Sequence, residues 1–104
     1  MIATLQAAFE RASSAYAETY AIDRDPDWFV LKLVEEMGEL TQAWNKFEGR
    51  SRPHGRSEDE LRLALADETA DLLGHVLLFA GQSGIDLNAA IERKWRFRPD
   101  DLRA

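Results

Sequence analysis

The segment PDWFVLKLVEEMGELTQAWNKF, residues 26–47, carries the clearest structural signal in this sequence. Asp25 precedes it as a helix cap, and Pro26 suits the first helical position. Its apolar residues recur at steps of three and four, as on one side of an amphipathic helix. These residues are Val30, Leu33, Met37, Leu40, Trp44 and Phe47. We therefore predict a helix to about Phe47, with its apolar stripe centred near Met37.

The same helix carries three glutamates, Glu35, Glu36 and Glu39, within two turns. Like charges at this spacing repel one another, so something should compensate them. Glu36 lies about 100° from Met37, and Glu39 lies about 160° from it on the same side, so the two are neighbours. Glu35 lies about 160° from Met37 in the other sense, which makes it less able to share a ligand with Glu36.

Three further helices flank this one in the predicted order. Ser57 and Glu60 form a capping box for the third helix. Asp86 can cap a short fourth helix, which Pro99 ends. The first helix is predicted over about 4–21 and the fourth over 87 to about 97, and the third runs from its capping box to near GQSG at 81–84. The strand signal is negligible, so the predicted class is all-α, in a single domain over residues 1–104.

The third helix is apolar around much of its circumference, with Leu63, Leu73, Leu77 and Leu78 outside its main stripe. A helix that is apolar on more than one side is buried on more than one side. In so short a chain the second partner is expected to be another subunit. We predict a dimer or tetramer in which the subunits complete helical bundles.

The third helix also repeats the arrangement of carboxylates, with Glu68 and Asp71 three residues apart beside its apolar stripe. Consecutive helices joined by a short loop pack antiparallel, so this pair can face Glu36 and Glu39. Four facing carboxylates need compensation, and hard oxygen ligands select Mg²⁺, Mn²⁺ or Ca²⁺. His75, one turn beyond Asp71, is interpreted as a helix residue that supports the cluster.

Composition excludes several other classes of site. The chain has 104 residues, a net charge of −6 and no cysteine. The absence of cysteine rules out disulfides and zinc–thiolate centres, and an acidic chain argues against binding to nucleic-acid polymers. The sequence shows no membrane span and no signal-peptide pattern, so a cytoplasmic protein is the simplest expectation.

The two acidic elements, EEMGE at 35–39 and ETAD at 68–71, resemble those of the MazG-like all-α nucleoside triphosphate pyrophosphohydrolases. The resemblance runs from about residue 28 to residue 98. It implies a four-helix domain that hydrolyses the α–β phosphoanhydride of a nucleotide to a monophosphate and pyrophosphate. It also implies Mg²⁺ as the cofactor, with Mn²⁺ as a substitute, and a role in cleaning the nucleotide pool.

Carried over residue by residue, the resemblance makes Glu36, Glu39, Glu68 and Asp71 the metal ligands. Glu35 matches the first motif position and, with Glu39, would orient or deprotonate the attacking water. A carboxylate near a metal-bound water can serve as this general base. No covalent nucleophile is needed for the reaction.

The resemblance also makes Lys94 and Arg98 candidates for binding phosphate. Lys32, one turn before Glu36, is its expected ion-pair partner and a further candidate for binding substrate. Trp44 is a candidate for stacking on the base, although as part of the apolar stripe it also suits the core. Further candidates are Trp28 for the base and the basic loop residues Arg50, Arg52, His54 and Arg56 for the triphosphate.

Two alternatives stay open at this point. The acidic motifs do not separate this activity from dUTP, dCTP or phosphoribosyl-ATP pyrophosphatases of the same superfamily. A non-catalytic helical oligomer that binds nucleotide or protein, with the acidic cluster as a structural ion site, is the alternative from another class.

Overall fold

The computed structural model describes residues 1–102, and its regular elements are all helical. They are α1 (Ile2–Thr19), α2 (Pro26–Phe47), α3 (Glu58–Gln82), α4 (Leu87–Trp95) and a 3-10 turn at Pro99–Asp101. This part of the chain contains no strand, so the all-α prediction is confirmed. The predicted domain over residues 1–104 extends two residues beyond the described ones.

Side-chain caps begin the two long helices that carry the acidic motifs, as predicted. The Asp25 carboxylate accepts a hydrogen bond from the Trp28 amide at 2.8 Å, with Pro26 at the first helical position. At α3, the Glu60 amide donates to the Ser57 hydroxyl at 3.2 Å, and the Ser57 amide donates to the Glu60 carboxylate at 3.0 Å. The starts of both α2 and α3 are therefore defined by local sequence.

Two helices end earlier than predicted because single residues turn to positive φ. The first helix covers Ile2–Thr19 rather than 4–21, and Ala21 has a φ of 53°. The fourth helix stops at Trp95 rather than at residue 97, because Arg96 adopts the left-handed conformation with a φ of 66°. A left-handed residue ends a helix at that point. The predicted cap Asp86 is confirmed, since its carboxylate accepts from the Ala89 amide at 3.1 Å.

Helices α2 and α3 pack antiparallel. Near the start of α2, the Trp28 ring lies 6.0 Å from the His75 ring in the second half of α3. Near the end of α2, the Phe47 ring lies 5.9 Å from the guanidinium of Arg62 in the first half of α3. The mid-helix acidic elements of α2 and α3 are thereby placed side by side.

The buried side of α2 is not the one that the apolar stripe predicted. Phe29, Glu36 and Ala43 are its buried residues, and they recur at seven-residue steps on the side facing α3. Met37, the predicted centre of the stripe, is 53% exposed, and it lies about 100° around the helix from Glu36. The apolar stripe is wider than the surface that α2 buries against α3. Its centre therefore falls between the packed side and a side that residues 1–102 leave uncovered.

That uncovered side forms a band of exposed apolar residues on α2 and α3, which we call the apolar band. It consists of Val30, Val34, Met37 and Trp44 on α2, and Leu63, Leu73 and Val76 on α3. Of the four leucines predicted to spread around the third helix, Leu77 and Leu78 are buried, whereas Leu63 and Leu73 remain exposed. The described chain thus covers only part of its apolar surface.

Helix α1 covers the second half of α3 through a close approach at Gly74. A Cβ added at Gly74 would lie 2.6 Å from a carbon of the Phe9 ring. Beside it, the Gln6 side-chain amide donates a hydrogen bond to the Leu77 carbonyl at 2.8 Å. Gly74 is therefore needed for α1 to pack at this distance.

We predict that Gly74→Ala destabilises the chain by about 1–2 kcal/mol, because displacing the Phe9 ring from a packed site costs more than the roughly 1 kcal/mol that alanine gains over glycine inside a helix. Denaturant unfolding followed by circular dichroism measures this change. The double variant Gly74→Ala with Phe9→Leu should recover part of the loss, since the smaller side chain makes room. Equal stability of Gly74→Ala and the wild type would contradict the close packing.

Candidate metal centre

The structure brings the predicted metal ligands together around Glu36. Carboxylate oxygens of Glu36, Glu68 and Asp71 lie within 4.8 Å of one another, across the contact between α2 and α3. In a second group along α2, carboxylate oxygens of Glu35, Glu36 and Glu39 also lie within 4.8 Å of one another. Oxygens that bind one divalent cation at about 2.0–2.6 Å lie this close together. Glu36 belongs to both groups and is their common point.

The Glu36 side chain is only 8% exposed, and its Oε2 atom has no hydrogen-bond partner among the described residues. Its Oε1 atom lies 3.7 Å from His75 Nε2, which is too long for a strong hydrogen bond. The Oε2 atom of Glu68 is buried and unpartnered in the same way. Buried carboxylate oxygens without partners are costly, and a bound cation would satisfy them.

The electrostatics of the cluster favour the neutral acids in the absence of a cation. Burial, followed by the charges of Glu39 and Asp71, raises the pKa of Glu36 to about 7. Burial and the charges of Glu39 and Asp71 also raise the pKa of Glu68. A divalent cation supplies the positive charge that these acids lack, so it would bind in exchange for protons.

His75 and Lys32 flank the cluster on its α1 side. Burial, and then the nearby charge of Lys32, lower the pKa of His75, so the ring is neutral at pH 7. Lys32 Nζ lies 3.1 Å from Glu35 Oε2, so its ion-pair partner is Glu35 and not Glu36 as predicted. The reason is that Glu36 points into the contact with α3, whereas Glu35 is exposed.

Helical angles predicted that Glu35 is less able than its adjacency in sequence suggests to share a ligand with Glu36, although it is near Glu39. The structure brings an oxygen of Glu35 within 4.8 Å of oxygens of both Glu36 and Glu39. Glutamate side chains are long enough to bend toward one another from neighbouring positions. The first motif position is therefore close enough to act at the same site.

Two clefts open on opposite sides of the carboxylates. The first, of about 370 Å³, lies between α1, α2 and α3. Glu36 and Asp71 line it on the acidic side, and its other walls are largely aromatic and apolar. Those walls include Phe9, Tyr16, Ile22, Trp28 and Leu78. Volume and lining fit the nucleoside part of a nucleotide.

The second cleft, of about 150 Å³, lies between the second half of α2 and the first half of α3. Glu39 and Glu68 line its acidic side, and Lys46 and Arg56 bring two positive charges to it. Arg56 was among the predicted loop residues, whereas Lys46 was not predicted. The signal for Lys46 was its position seven residues after Glu39, which places both on one side of α2.

The remaining predicted substrate residues lie elsewhere in the described chain. Trp44 is exposed in the apolar band, with its ring 6.2 Å from that of Phe47. Arg98 donates a hydrogen bond to Glu92 of α4 at 2.9 Å. Among residues 1–102, Lys94, Arg98 and Trp44 line neither of the two clefts beside the carboxylates.

Comparisons with models of known protein families, with curated proteins and with solved structures found no match. Within residues 1–102, the helices are too short or too polar to cross a membrane.

We predict that, with chelator present, the melting temperature falls by about 5 °C or more as the pH rises from 4.5 to 8. The folded chain binds the Glu36 proton more tightly than the unfolded chain, whose pKa is near 4.5, so stability is lost as the pH rises through about 7. A loss of 1 kcal/mol corresponds to about 4–8 °C in a domain of this size. Thermal melts at a series of pH values measure it.

Glu36→Gln should flatten this slope, because it removes the titrating group, whereas the exposed control Glu18→Gln should keep it. Saturating Mg²⁺ at pH 8 should raise the melting temperature of the wild type by several degrees and that of Glu36→Gln much less. A melting temperature indifferent to Mg²⁺ would argue against a metal centre.

Proposed function

We propose that the chain is a MazG-like, Mg²⁺-dependent pyrophosphohydrolase that cleaves (deoxy)nucleoside triphosphates at the α–β bond. The single observation that supports this most is Glu36, a buried carboxylate with an unpartnered oxygen, placed where four other acidic residues converge. A cluster that lies between an aromatic cleft and a cationic cleft suits a ligand with an aromatic end and a polyphosphate end. The physiological role would be removal of unwanted nucleotides in the cytoplasm.

Mg²⁺ held by Glu36, Glu39, Glu68 and Asp71 would neutralise phosphate oxygens and lower the pKa of a bound water. In the reaction, the water oxygen bonds to the α-phosphorus. The bond from that phosphorus to the α–β bridging oxygen breaks, and pyrophosphate leaves with the electron pair. The products are a nucleoside monophosphate and pyrophosphate.

Glu35 is the residue best placed to accept the proton of the attacking water. It is exposed, yet one of its oxygens lies within 4.8 Å of oxygens of Glu36 and Glu39. Its ion pair with Lys32 at 3.1 Å holds the carboxylate in position. Glu39 is the second candidate for this role, because it belongs to the same group of oxygens.

The first cleft would hold the nucleoside. Trp28 lies at its wall, with Lys32 Nζ 5.7 Å from the centre of its ring. Flat aromatic rings at the wall of a cleft of this volume favour stacking on a base. Phe9 and Tyr16 of α1 provide further aromatic surface, so this helix contributes to the substrate site as well as to the fold.

We also propose that the chain works as a dimer or tetramer that covers the apolar band. Val34 is 72% exposed and Leu73 50% exposed on neighbouring helices. Gly38 lies on the same part of α2 and has no described atom within 4 Å of an added Cβ, although glycine inside a helix costs about 1 kcal/mol. A second copy packing closely there would account for both features. In such an assembly, Lys94, Arg98 and Trp44 of one copy would contact substrate bound to the other copy.

We expect Val34→Glu and Leu73→Glu to shift the assembly toward monomers, because each places a charge inside the proposed interface. Sedimentation velocity over a range of protein concentrations measures the shift. Tyr20→Glu, a change at a residue that is 62% exposed outside the apolar band, is the matched control and should leave the assembly unchanged. A wild type that is monomeric at all concentrations would overturn the proposed oligomer.

The activity is tested by pyrophosphate release from a panel of ribo- and deoxynucleoside triphosphates with Mg²⁺, with Mn²⁺ and with chelator. The expected products are pyrophosphate and a monophosphate, with none formed in chelator. The panel should include phosphoribosyl-ATP, dUTP and dCTP, the substrates of the alternative enzymes of the same superfamily. Release of orthophosphate instead would contradict cleavage at the α–β bond.

In active protein, Glu39→Gln and Asp71→Asn should each lower kcat/KM by about 100-fold or more, because each removes a proposed metal ligand. Asp67→Asn removes the same charge from an exposed position on α3 and should change kcat/KM little. Full activity in both ligand variants would refute the metal centre as the catalytic site. Absence of turnover across the panel would favour the non-catalytic oligomer.

A further inference from the structure

The second cleft has a feature that the acidic motifs do not explain. Its walls combine two carboxylates, Glu39 and Glu68, with two cations, Lys46 and Arg56. We propose that Lys46 and Arg56 bind the terminal phosphates of the substrate, so that the site selects triphosphates over diphosphates. This inference rests on the proposed function, because it assigns one end of the substrate to a place beside the same carboxylates.

Neither cation forms an ion pair within the described chain. The ion pairs of residues 1–102 include neither Lys46 nor Arg56. The two acidic residues that line the cleft, Glu39 and Glu68, are members of the proposed metal centre. Once a cation occupies that centre, the net charge around the cleft becomes more positive, which favours an anionic ligand between the metal and the two side chains.

Local structure holds Arg56 at the edge of the cleft. The Arg56 amide donates a hydrogen bond to the Pro53 carbonyl at 3.2 Å, which closes a tight turn. The two central residues of the turn, His54 and Gly55, both have positive φ, at 53° and 78°. Ser57, the cap of α3, follows immediately. Arg56 is therefore attached between a turn and a capped helix rather than in a long unstructured loop.

The volumes of the two clefts suit different parts of the substrate. The first, at about 370 Å³, falls in the range from about 300 Å³ upward that is typical of pockets for organic ligands. The second, at about 150 Å³, is below that range, and suits a compact anion better than a nucleoside. The carboxylates lie between the two clefts, so one nucleotide can extend from the first cleft to the second. Its nucleoside would lie in the first cleft, its α-phosphate at the metal centre, and its terminal phosphates at Lys46 and Arg56.

This arrangement gives a reason for selectivity by chain length. When the α-phosphate lies at the carboxylates, a triphosphate extends two further phosphates toward the second cleft, whereas a diphosphate extends only one. Arginine and lysine bind phosphate by charge-assisted hydrogen bonds, which are strong in a partly enclosed site. The missing contacts of a diphosphate should therefore weaken its binding and its turnover.

The test uses inorganic pyrophosphate, which has the two linked phosphates that this cleft would hold. Isothermal titration of the full chain with pyrophosphate in the presence of Mg²⁺ measures its affinity. Lys46→Gln and Arg56→Gln should each weaken binding by about tenfold or more. Lys46→Arg keeps the charge and should stay within a few-fold of the wild type. Arg11→Gln, at an exposed site on α1, is the control for a general loss of positive charge.

Wild type that fails to bind pyrophosphate, or binding that is equal in Lys46→Gln, Arg56→Gln and Arg11→Gln, would overturn the inference. With an active enzyme, the ratio of kcat/KM for a nucleoside triphosphate to that for its diphosphate gives a second measure. That ratio should fall about tenfold or more in Lys46→Gln and Arg56→Gln, mainly through KM.

The failures of the two proposals can be told apart. Metal-dependent turnover that is unchanged in Lys46→Gln and Arg56→Gln refutes the terminal-phosphate site and leaves the proposed function standing. Pyrophosphate binding that depends on both residues, in a protein that turns over no nucleotide, supports the anion site and refutes the enzyme.

Discussion

The burial of Glu36 between α2 and α3 is the constraint on which the rest of this structure depends. An acidic side chain occupies a position in the middle of the main helix contact, between the buried residues Phe29 and Ala43. Because such a group is costly without compensation, the fold alone does not account for it. The same position makes Glu36 common to both groups of carboxylates. Packing, electrostatics and the proposed chemistry therefore meet at a single residue.

Elements governed by neighbouring residues were predictable from sequence. The caps at Asp25, Ser57 and Asp86 are as predicted, because a cap is a hydrogen bond within one turn. The packed side of α2 was not predictable from sequence. Apolar periodicity does not distinguish the residues that face α3 from apolar residues on another side of the helix. Met37 belongs to the same stripe as Leu40, but only tertiary packing determines which of them faces α3.

The same distinction applies to the candidate site. Spacing along each helix predicted that Glu36, Glu39, Glu68 and Asp71 would converge, and the structure places their oxygens in two overlapping groups. Spacing does not reveal clefts, since these depend on how three helices and a turn meet. Lys46 and the aromatic residues of α1 were therefore missed as candidates for the site. The partner of Lys32 was also predicted wrongly, because the inward direction of Glu36 is a property of the packed pair.

Helix α2 carries three functions along its length: one side packs on α3, one flank bears the acids and Lys46, and the other flank bears the exposed apolar residues. Each added or deleted residue turns all later positions by about 100°. An insertion between Phe29 and Glu35 would thus turn Glu36 out of the contact with α3 and toward the apolar flank, and an insertion between Glu39 and Ala43 would turn Ala43 out of that contact. Length variation should accordingly be tolerated outside the helix, in residues 48–52, and excluded within it. Natural relatives should preserve the number of residues between Phe29 and Ala43 more strictly than the residues themselves.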